Sequence, residues 1–577
     1  LRFLVYFNYM IRRIGEAHGR KCLGLESDAV AQLVIDIEQS LRATDDAVKR
    51  FVSPTDNALP RAVAKQHHLV FGRRGSGKSS LLRKAINDLS LERRPVAYID
   101  LEVFKDHSYP DVLLSILIEI FGEYEKWLKT TAISSATKTS FWNRFGFGVR
   151  PSRPPFNKKE ATILAQDIYS YIQKLRGKLY SADNIDINTM TRRELEVNDQ
   201  SEIGLQIGST VSLSGKLGSN QRSNGSQELQ ETYRRSKIDY LNTHILEYQG
   251  IFDRMSTLSN GASYLFLDDL YHIRRSDQAR VIDYCHRLAK GHNLWLKIGT
   301  VRHRTQAYIN GDPPIGIKLG DDVEVIDLDL TLENFDLTRQ FLFQILSKFI
   351  GNDHAISIKT LLAEKAVDRL VLASGGVTRD FLGIFKRSVD AARARIIRRG
   401  IDTRGTRIAI EDVNTAAGSY DQTKRQELIK DANDNHEKLE QLFQDLTAFC
   451  LDQLNDRVFV IDEKAEGEWV ELIQELVDLR LLHRIKSHFS MKYGMYARRR
   501  FDAYMIDLSQ YARIRMKEGF GDKNFWEPDN EELLWNRTSF IFTPEKVKRS
   551  TSKDMKTVHK VQKEEKPDVS LWGEVDF

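Results

Sequence analysis

Cysteine is scarce in this chain. Its three copies, Cys22, Cys285 and Cys450, are too few and too scattered for a disulfide framework or a cysteine metal site. That pattern points to buried or incidental thiols in a reducing, cytoplasmic setting. No apolar run reaches the roughly 18 residues a membrane span requires, so a soluble protein with no membrane partner is expected. The apolar opening Leu1–Tyr9 is too short and wrongly flanked for a signal peptide, and Met10 is read as the translation start. A strong excess of one charge is also missing. A net charge of +5 over 577 residues cannot alone argue for nucleic acid, so local clusters must decide. The length suggests about three to four compact units, and 41% hydrophobic with 29% charged residues is ordinary for a soluble protein.

What the chain does have is the string His68-Leu-Val-Phe-Gly72-Arg73-Arg74-Gly75-Ser76-Gly77-Lys78-Ser79-Ser80. His67 to Phe71 reads as a short buried strand, and Leu81, Leu82, Ala85, Ile86 and Leu89 recur at helical spacing after the loop. Glycines at 72, 75 and 77 let backbone N–H groups of residues 72–80 turn inward around phosphates without Cβ clashes. Lys78 supplies a point charge, Ser79 a hydroxyl for magnesium, and the helix start a favourable dipole. The expected ligands are therefore a nucleoside triphosphate and Mg2+. No guanine-reading Asn-Lys-x-Asp string occurs, which favours ATP.

Downstream, 95–101 reads as a second strand and 110–128 as an amphipathic helix, the alternation of a parallel sheet. Ser263-Tyr-Leu-Phe-Leu-Asp268-Asp269 runs four apolar residues into two acids. An acid at the tip of such a strand reaches magnesium held at the loop, so Asp268 is assigned to the metal, through water. Asp269 is placed to orient or deprotonate the attacking water; the plainer alternative is a turn cap. The strand 293–300 ends in Thr300, Arg302 and Arg304, of which Thr300 or Arg302 would sense the γ-phosphate. A surface salt bridge is the competing reading for both arginines. Residues 323–330 would add a fifth strand.

Helices expected over 337–349 and 358–372 lead to Ala373-Ser-Gly375-Gly376-Val-Thr-Arg379-Asp380. Over about 69–413 the chain resembles the AAA+ ATPases and related STAND signalling ATPases, nearest in arrangement to origin-recognition-type initiators. The resemblance implies a small helical lid after the sheet, with Arg379 opening a lid helix and touching the γ-phosphate. It also implies ATP hydrolysis and ATP-dependent homo-oligomers. Two departures, Asp268-Asp269 where AAA+ members have Asp-Glu, and Gly299-Thr300-Val301-Arg302 in place of an asparagine sensor, look more like STAND members and imply slow, switch-like hydrolysis.

The connection between the second and acidic strands is far longer than one crossover needs. Two apolar stripes, Ile163, Leu164, Ile168, Tyr171, Ile172, Leu175, Leu179 and Tyr233, Ile238, Leu241, Ile245, Tyr248, Ile251, predict a helical hairpin, a possible protein-contacting arm over 131–255. Its tip, from Glu202, reads as a strand followed by a Ser, Gly and Asn linker to Gln227. Aromatics and arginines over 141–150 suit either nucleic-acid stacking or core packing. From His436 the order helix, strand, helix, two strands predicts a winged-helix-like domain. Its 486–500 region holds Lys486, His488, Lys492, Arg498, Arg499 and Arg500 with Tyr493 and Tyr496, suited to duplex DNA phosphates. Glutamates at 463, 466, 468, 471 and 475 make the presumed recognition helix acidic and keep a protein-docking role open. The arginine-rich 393–407 reads as a solvated helix face.

The expected fold is thus α/β: a P-loop NTPase parallel sheet with helical lid, helical-hairpin insertion and C-terminal winged-helix-like domain. Expected boundaries are 1–60 (N-terminal helical segment), 61–335 (ATPase core), 336–425 (lid), 430–515 (winged-helix-like) and 516–577 (a largely disordered tail). Two functions stand: an ATP-hydrolysing switch acting on DNA or a DNA-bound complex, and an ATP-dependent oligomerising signalling or defence sensor that acts on protein. A small-molecule kinase is disfavoured because no acceptor motif can be named.

Overall fold

Short apolar stretches become strands where both faces are covered. In the computed structural model β1 (His68–Phe71), β2 (Val96–Asp100), β3 (Ser263–Asp268) and β4 (Leu294–Thr300) are followed by a small hairpin, β5 (Tyr308–Ile309) with β6 (Ile315–Gly316), and then by β7 (Glu324–Asp327). Five of these make one parallel sheet in the order β2-β3-β4-β1-β7. β1 and β3 are buried throughout, as parallel strands between helical layers must be. Register pairs Asp100 with Asp268, and Phe71 with both Thr300 and Asp327, so every strand ends at one edge. The structure describes residues 24–40, 50–55, 57–134, 156–203, 217–351, 356–400, 405–431, 436–491, 496, 498–510, 525–526 and 538–546.

The loop helix Lys78–Leu91 buries Leu81, Leu82, Ala85 and Leu89 against Val70, Tyr264 and Phe266 on one sheet face. The opposite face carries Asp111–Ser134 and the bases of the insertion helices Lys158–Ile203 and Leu217–Ser259. Edge-to-face rings lock the base: Phe121 on Tyr248 at 5.1 Å, Tyr171 on Tyr248 at 5.5 Å and Tyr124 on Phe252 at 5.5 Å. The expected stripe is narrower than read, because Ile163 is 49% exposed. Helix also replaces the expected strand at Glu202 and Ile203, and the expected linker over 217–227. Once a long helix is anchored by packing, each further residue adds a hydrogen bond, which outweighs weak Ser, Asn and Gly propensity. The rest of the tip, 204–216, and the aromatic stretch 141–150 lie outside the described residues.

The chain divides into two compact units, 1–330 with 336–416, and 331–335 with 417–577. In the first, the expected helix 358–372 is two, Ile358–Leu361 and Glu364–Ser374. Leu362 instead extends to bridge Ile408, with the Ala363 N–H on the Ile408 carbonyl at 2.9 Å. The arginine-rich face is corrected too. Arg395 is buried on Asp412 at 3.0 Å, and Arg393 donates to the Leu25 carbonyl at 2.8 Å, tying the helix Thr378–Arg399 to the N-terminal segment. Among the described residues no helix is long and apolar enough to cross a membrane.

The second unit has the predicted element order. The helix His436–Thr447 precedes β8 (Val458–Asp462), the helix Glu468–Asp478, β9 (Leu482–Ser490) and β10 (Arg500–Ile506), an antiparallel sheet ordered β8-β10-β9. Leu472, Ile473 and Leu476 face its core while Glu468 and Glu471 face water. Within the expected tail, residues 538–542 pack on this unit. Phe540, Ile541 and Phe542 are buried, and the Phe542 N–H bonds the Val460 carbonyl at 2.8 Å, because three consecutive apolar residues gain more from burial than from solvation. Residues 547–577 lie outside the described residues, as do Lys492 and Tyr493.

Candidate active site at the carboxyl edge of the sheet

The glycines of the loop are required one by one. Gly75 and Gly77 adopt φ of +86° and +101°, in the left-handed region that side chains avoid. A Cβ on Gly72 would collide with the Ser76 hydroxyl, and one on Gly75 would sit 2.7 Å from the Arg379 Cβ. Lys78 opens the loop helix and is 5% exposed; its ammonium donates to the Gly72 carbonyl at 2.8 Å and the Arg73 carbonyl at 3.3 Å. Burial lowers its pKa, while Asp269 and then Asp268 act to hold its charge. The Ser76 hydroxyl is buried with no hydrogen-bond partner. Ser79 and Ser80 follow on the first turn.

Asp268 ends β3, and β3 is not next to the loop strand: β4 lies between them. The reach across is made possible by Gly299 of β4, where a Cβ would stand 2.6 Å from the Asp268 Oδ1. Asp268 accepts a hydrogen bond from Ser79; its Oδ2 accepts from the Tyr98 hydroxyl at 3.0 Å and its Oδ1 from the Asp269 N–H at 3.0 Å. The carboxyl is 1% exposed, and burial, then the charge of Asp269, push its pKa up to about 6. Asp269 adopts φ of +55° at the start of a short 3-10 turn, which aims its backbone away from the strand. Its pKa is raised by burial and opposed by Lys78. The expected metal pair, Ser79 and Asp268, and the expected water-directing acid are therefore within one cluster around Lys78. Among the described residues no group of three or more His, Cys, Asp or Glu forms a self-sufficient metal cage.

Arg379 lies in the first turn of the helix Thr378–Arg399, and its N–H bonds the Gly75 carbonyl at 3.2 Å. The position read as a lid sensor is thus packed on the loop. Arg74 acts electrostatically on Asp269. Three other predicted residues have different surroundings. Thr300 is buried, its hydroxyl 2.6 Å from that of Thr305. Arg302 pairs with Asp327 at 2.7 Å, with its guanidinium 4.4 Å from the Phe71 ring centre, at 43% exposure: the salt-bridge alternative. Arg73 turns its side chain to Asp329, Leu330 and Gly375. Sequence reasoning missed Gly299, Tyr98 and Asp329. Gly299 carried the one legible signal, a glycine at the end of a buried strand.

A parallel sheet in this order, with a glycine loop between β1 and its helix and an acid-tipped strand across the edge, is the P-loop NTPase fold. No protein-family model matches the chain, and no curated protein matches it. Solved structures do. The ORC1 protein of Aeropyrum pernix, solved in complex with DNA, is similar over 82% of this chain and 95% of that one, at 12% identity and a TM-score of 0.33. A Walker-type ATPase of Pyrococcus abyssi is similar over 80% and 94%, at 11% identity and a TM-score of 0.35. A mutant of Thermotoga maritima RuvB covers 32% of this chain and 54% of its own, at 13% identity and a TM-score of 0.19.

Proposed function

We propose that this chain binds Mg-ATP at the carboxyl edge of the sheet and hydrolyses it to switch the state of a DNA or DNA-bound partner. One observation carries the ATPase reading: the Asp268 carboxylate reaches Ser79 across Gly299, beside a buried Lys78. Such an arrangement fits a triphosphate. Of the loop N–H groups, those of 72, 73 and 76 are engaged by Thr300, Asp329 and the Arg73 carbonyl; the others, with the loop-helix N-terminus, cradle the phosphates, and Lys78 and Arg379 clamp their oxygens. Ser79 and, through water, Asp268 would hold magnesium, which would supply charge neutralisation at the phosphate oxygens. Asp269 orients water and accepts its proton at a carboxylate oxygen. Thr300 and Arg302, engaged by Thr305 and Asp327, brace the strand ends around this site.

The DNA reading rests on exposed Arg498, Arg499 and Arg500 beside β10. A second reading, docking on protein with ATP-dependent self-assembly, is favoured by the acids that engage the same region: His488 on Glu463 at 2.8 Å and Arg499 on Asp462 at 3.1 Å. The test is the ATPase rate and particle size of the full chain, with and without duplex DNA. Lys78→Ala is expected to lower hydrolysis roughly 10²–10³-fold. DNA stimulation that collapses with salt supports the first reading, and ATP-dependent assembly without DNA supports the second. Neither response, together with no hydrolysis, sinks both.

A further inference from the structure

Arg73 occupies an unspecified position of the loop string, yet it is 3% exposed. Its backbone N–H and its Nε both meet the Asp329 Oδ1, at 2.8 and 3.3 Å. Its Nη2 donates to the Leu330 carbonyl at 3.0 Å and to the Gly375 carbonyl at 3.2 Å. Its own carbonyl accepts from the Lys78 ammonium at 3.3 Å. One residue therefore touches the phosphate lysine, the chain leaving β7, and the turn that opens the lid helix. That turn is also closed from its other side. A Cβ on Gly376 would collide with the Leu330 carbonyl, and the Arg379 N–H holds the Gly75 carbonyl at 3.2 Å. Leu330 is itself the last residue before the chain first passes into the second unit.

We propose that Arg73 is a positioning residue that couples phosphate binding in the loop to the lid turn 374–379 and to the Asp329–Leu330 exit. The inference rests on the ATP reading above. Phosphate oxygens compete with the Gly72 and Arg73 carbonyls for the one ammonium of Lys78. As that ammonium turns to phosphate, the Arg73 carbonyl keeps only its bond from the Ser76 N–H, at 3.1 Å, and the turn 73–76 shifts with it. The guanidinium on the same residue then carries the movement to two carbonyls, at Leu330 and Gly375. A planar fork is needed to hold a carboxylate and two carbonyls at once, which a lysine ammonium cannot span in the same geometry. Asp329 fixes the fork, since it binds both the backbone and the side chain of Arg73.

The test uses the full chain and the variants Arg73→Lys, Arg73→Ala and Asp329→Asn. Affinity for a fluorescent ATP analogue, kcat, KM and backbone hydrogen exchange over 328–332 and 372–381 are measured with and without Mg-ATP. In the unaltered chain ATP should slow exchange in both segments. In Arg73→Lys and Asp329→Asn that slowing should fall by at least about half and kcat by about tenfold, with KM and analogue affinity changed less than about threefold. Arg73→Ala should show the same split, more strongly. The coupling is overturned if the variants bind ATP and keep the full exchange response, or if kcat and affinity fall together as for a merely damaged loop. Should Arg73→Ala not fold, the two conservative variants decide. An unaltered chain that binds no ATP overturns the functional reading and this one together, whereas normal binding with an unchanged lid response overturns this one alone.

Discussion

Two lysines are buried, one at the start of the loop helix and one in a sheet strand, and meet different fates. Lys78 at the carboxyl edge and Lys297 in the middle of β4 both direct their ammonium groups at backbone carbonyls. For Lys297 these are Arg61 at 3.3 Å, Ala64 at 2.8 Å and Gln66 at 2.7 Å, with the His68 Nδ1 at 2.9 Å. Carbonyls satisfy the N–H groups, but they do not supply a counter-charge. Burial, then Arg61, bring the Lys297 pKa down to about 7, and the adjacent His68 falls to about 3 by burial and then the charge of Lys297. Lys78 feels the same burial, but Asp269, Asp268 and Asp329 oppose it. Burial lowers both lysines, but at the lysine that must greet an anion three carboxylates oppose it, whereas at the lysine that fills a core the neighbouring charge, Arg61, adds to it.

The largest effect that would break this contrast lies in the pH dependence of stability. With a folded pKa of about 7 against an ordinary 10.5, Lys297 binds its proton more tightly in the unfolded chain. Its cost to the fold is full below about pH 7 and vanishes as pH rises to about 10.5, so stability should climb across that window by up to about 3–5 kcal/mol. In Lys297→Met urea unfolding of the sheet-bearing unit should lose that slope, while ATP affinity stays near that of the unaltered chain. An unchanged slope would show that Lys297 is charged in the fold and that the two lysines do not differ as argued.

The next effect tests the other half of the contrast, the carboxylates. Gly299→Ala would place a methyl 2.6 Å from the Asp268 Oδ1 and 3.1 Å from the Leu82 Cδ1. Displacing the carboxylate by about 1 Å should lower kcat about 10²-fold, with a stability loss of about 1–3 kcal/mol. Hydrolysis at the unaltered rate would mean that Asp268 does not act from this position.

These particulars mark what the sequence could reveal. The loop and the acid-tipped strand were legible because each is written in consecutive residues: glycines where φ turns positive, four apolar residues before two acids. Gly299 and Arg73 act across the sheet, so their roles appear only once β4 is known to separate β3 from β1 and once residues 329 and 375 are brought together. The insertion base was read from its periodicity, yet Glu202, Ile203 and 217–227 are helix rather than strand and linker, because local propensity was weighed without the anchored helix feeding into it. Phe540–Phe542 were lost in a polar tail for a related reason: three residues are too short a run to show a period, and their partners Phe459 and Trp469 are far away in the chain.

The smallest effect concerns Arg302, the residue on which sequence left two readings side by side. Its ion pair with Asp327 is 43% and 48% exposed, in the range where such pairs contribute only about 0–1 kcal/mol. Asp327 has a second duty, accepting the Asp329 N–H at 3.0 Å, and Asp329 in turn holds Arg73. Arg302 therefore reaches the loop through two carboxylates rather than through phosphate. Arg302→Gln should change stability by less than about 1 kcal/mol and kcat by less than about fivefold, well below the loss from Gly299→Ala. A loss of 10²-fold or more, with the fold intact, would instead return Arg302 to the γ-phosphate and require its pair with Asp327 to open when ATP binds.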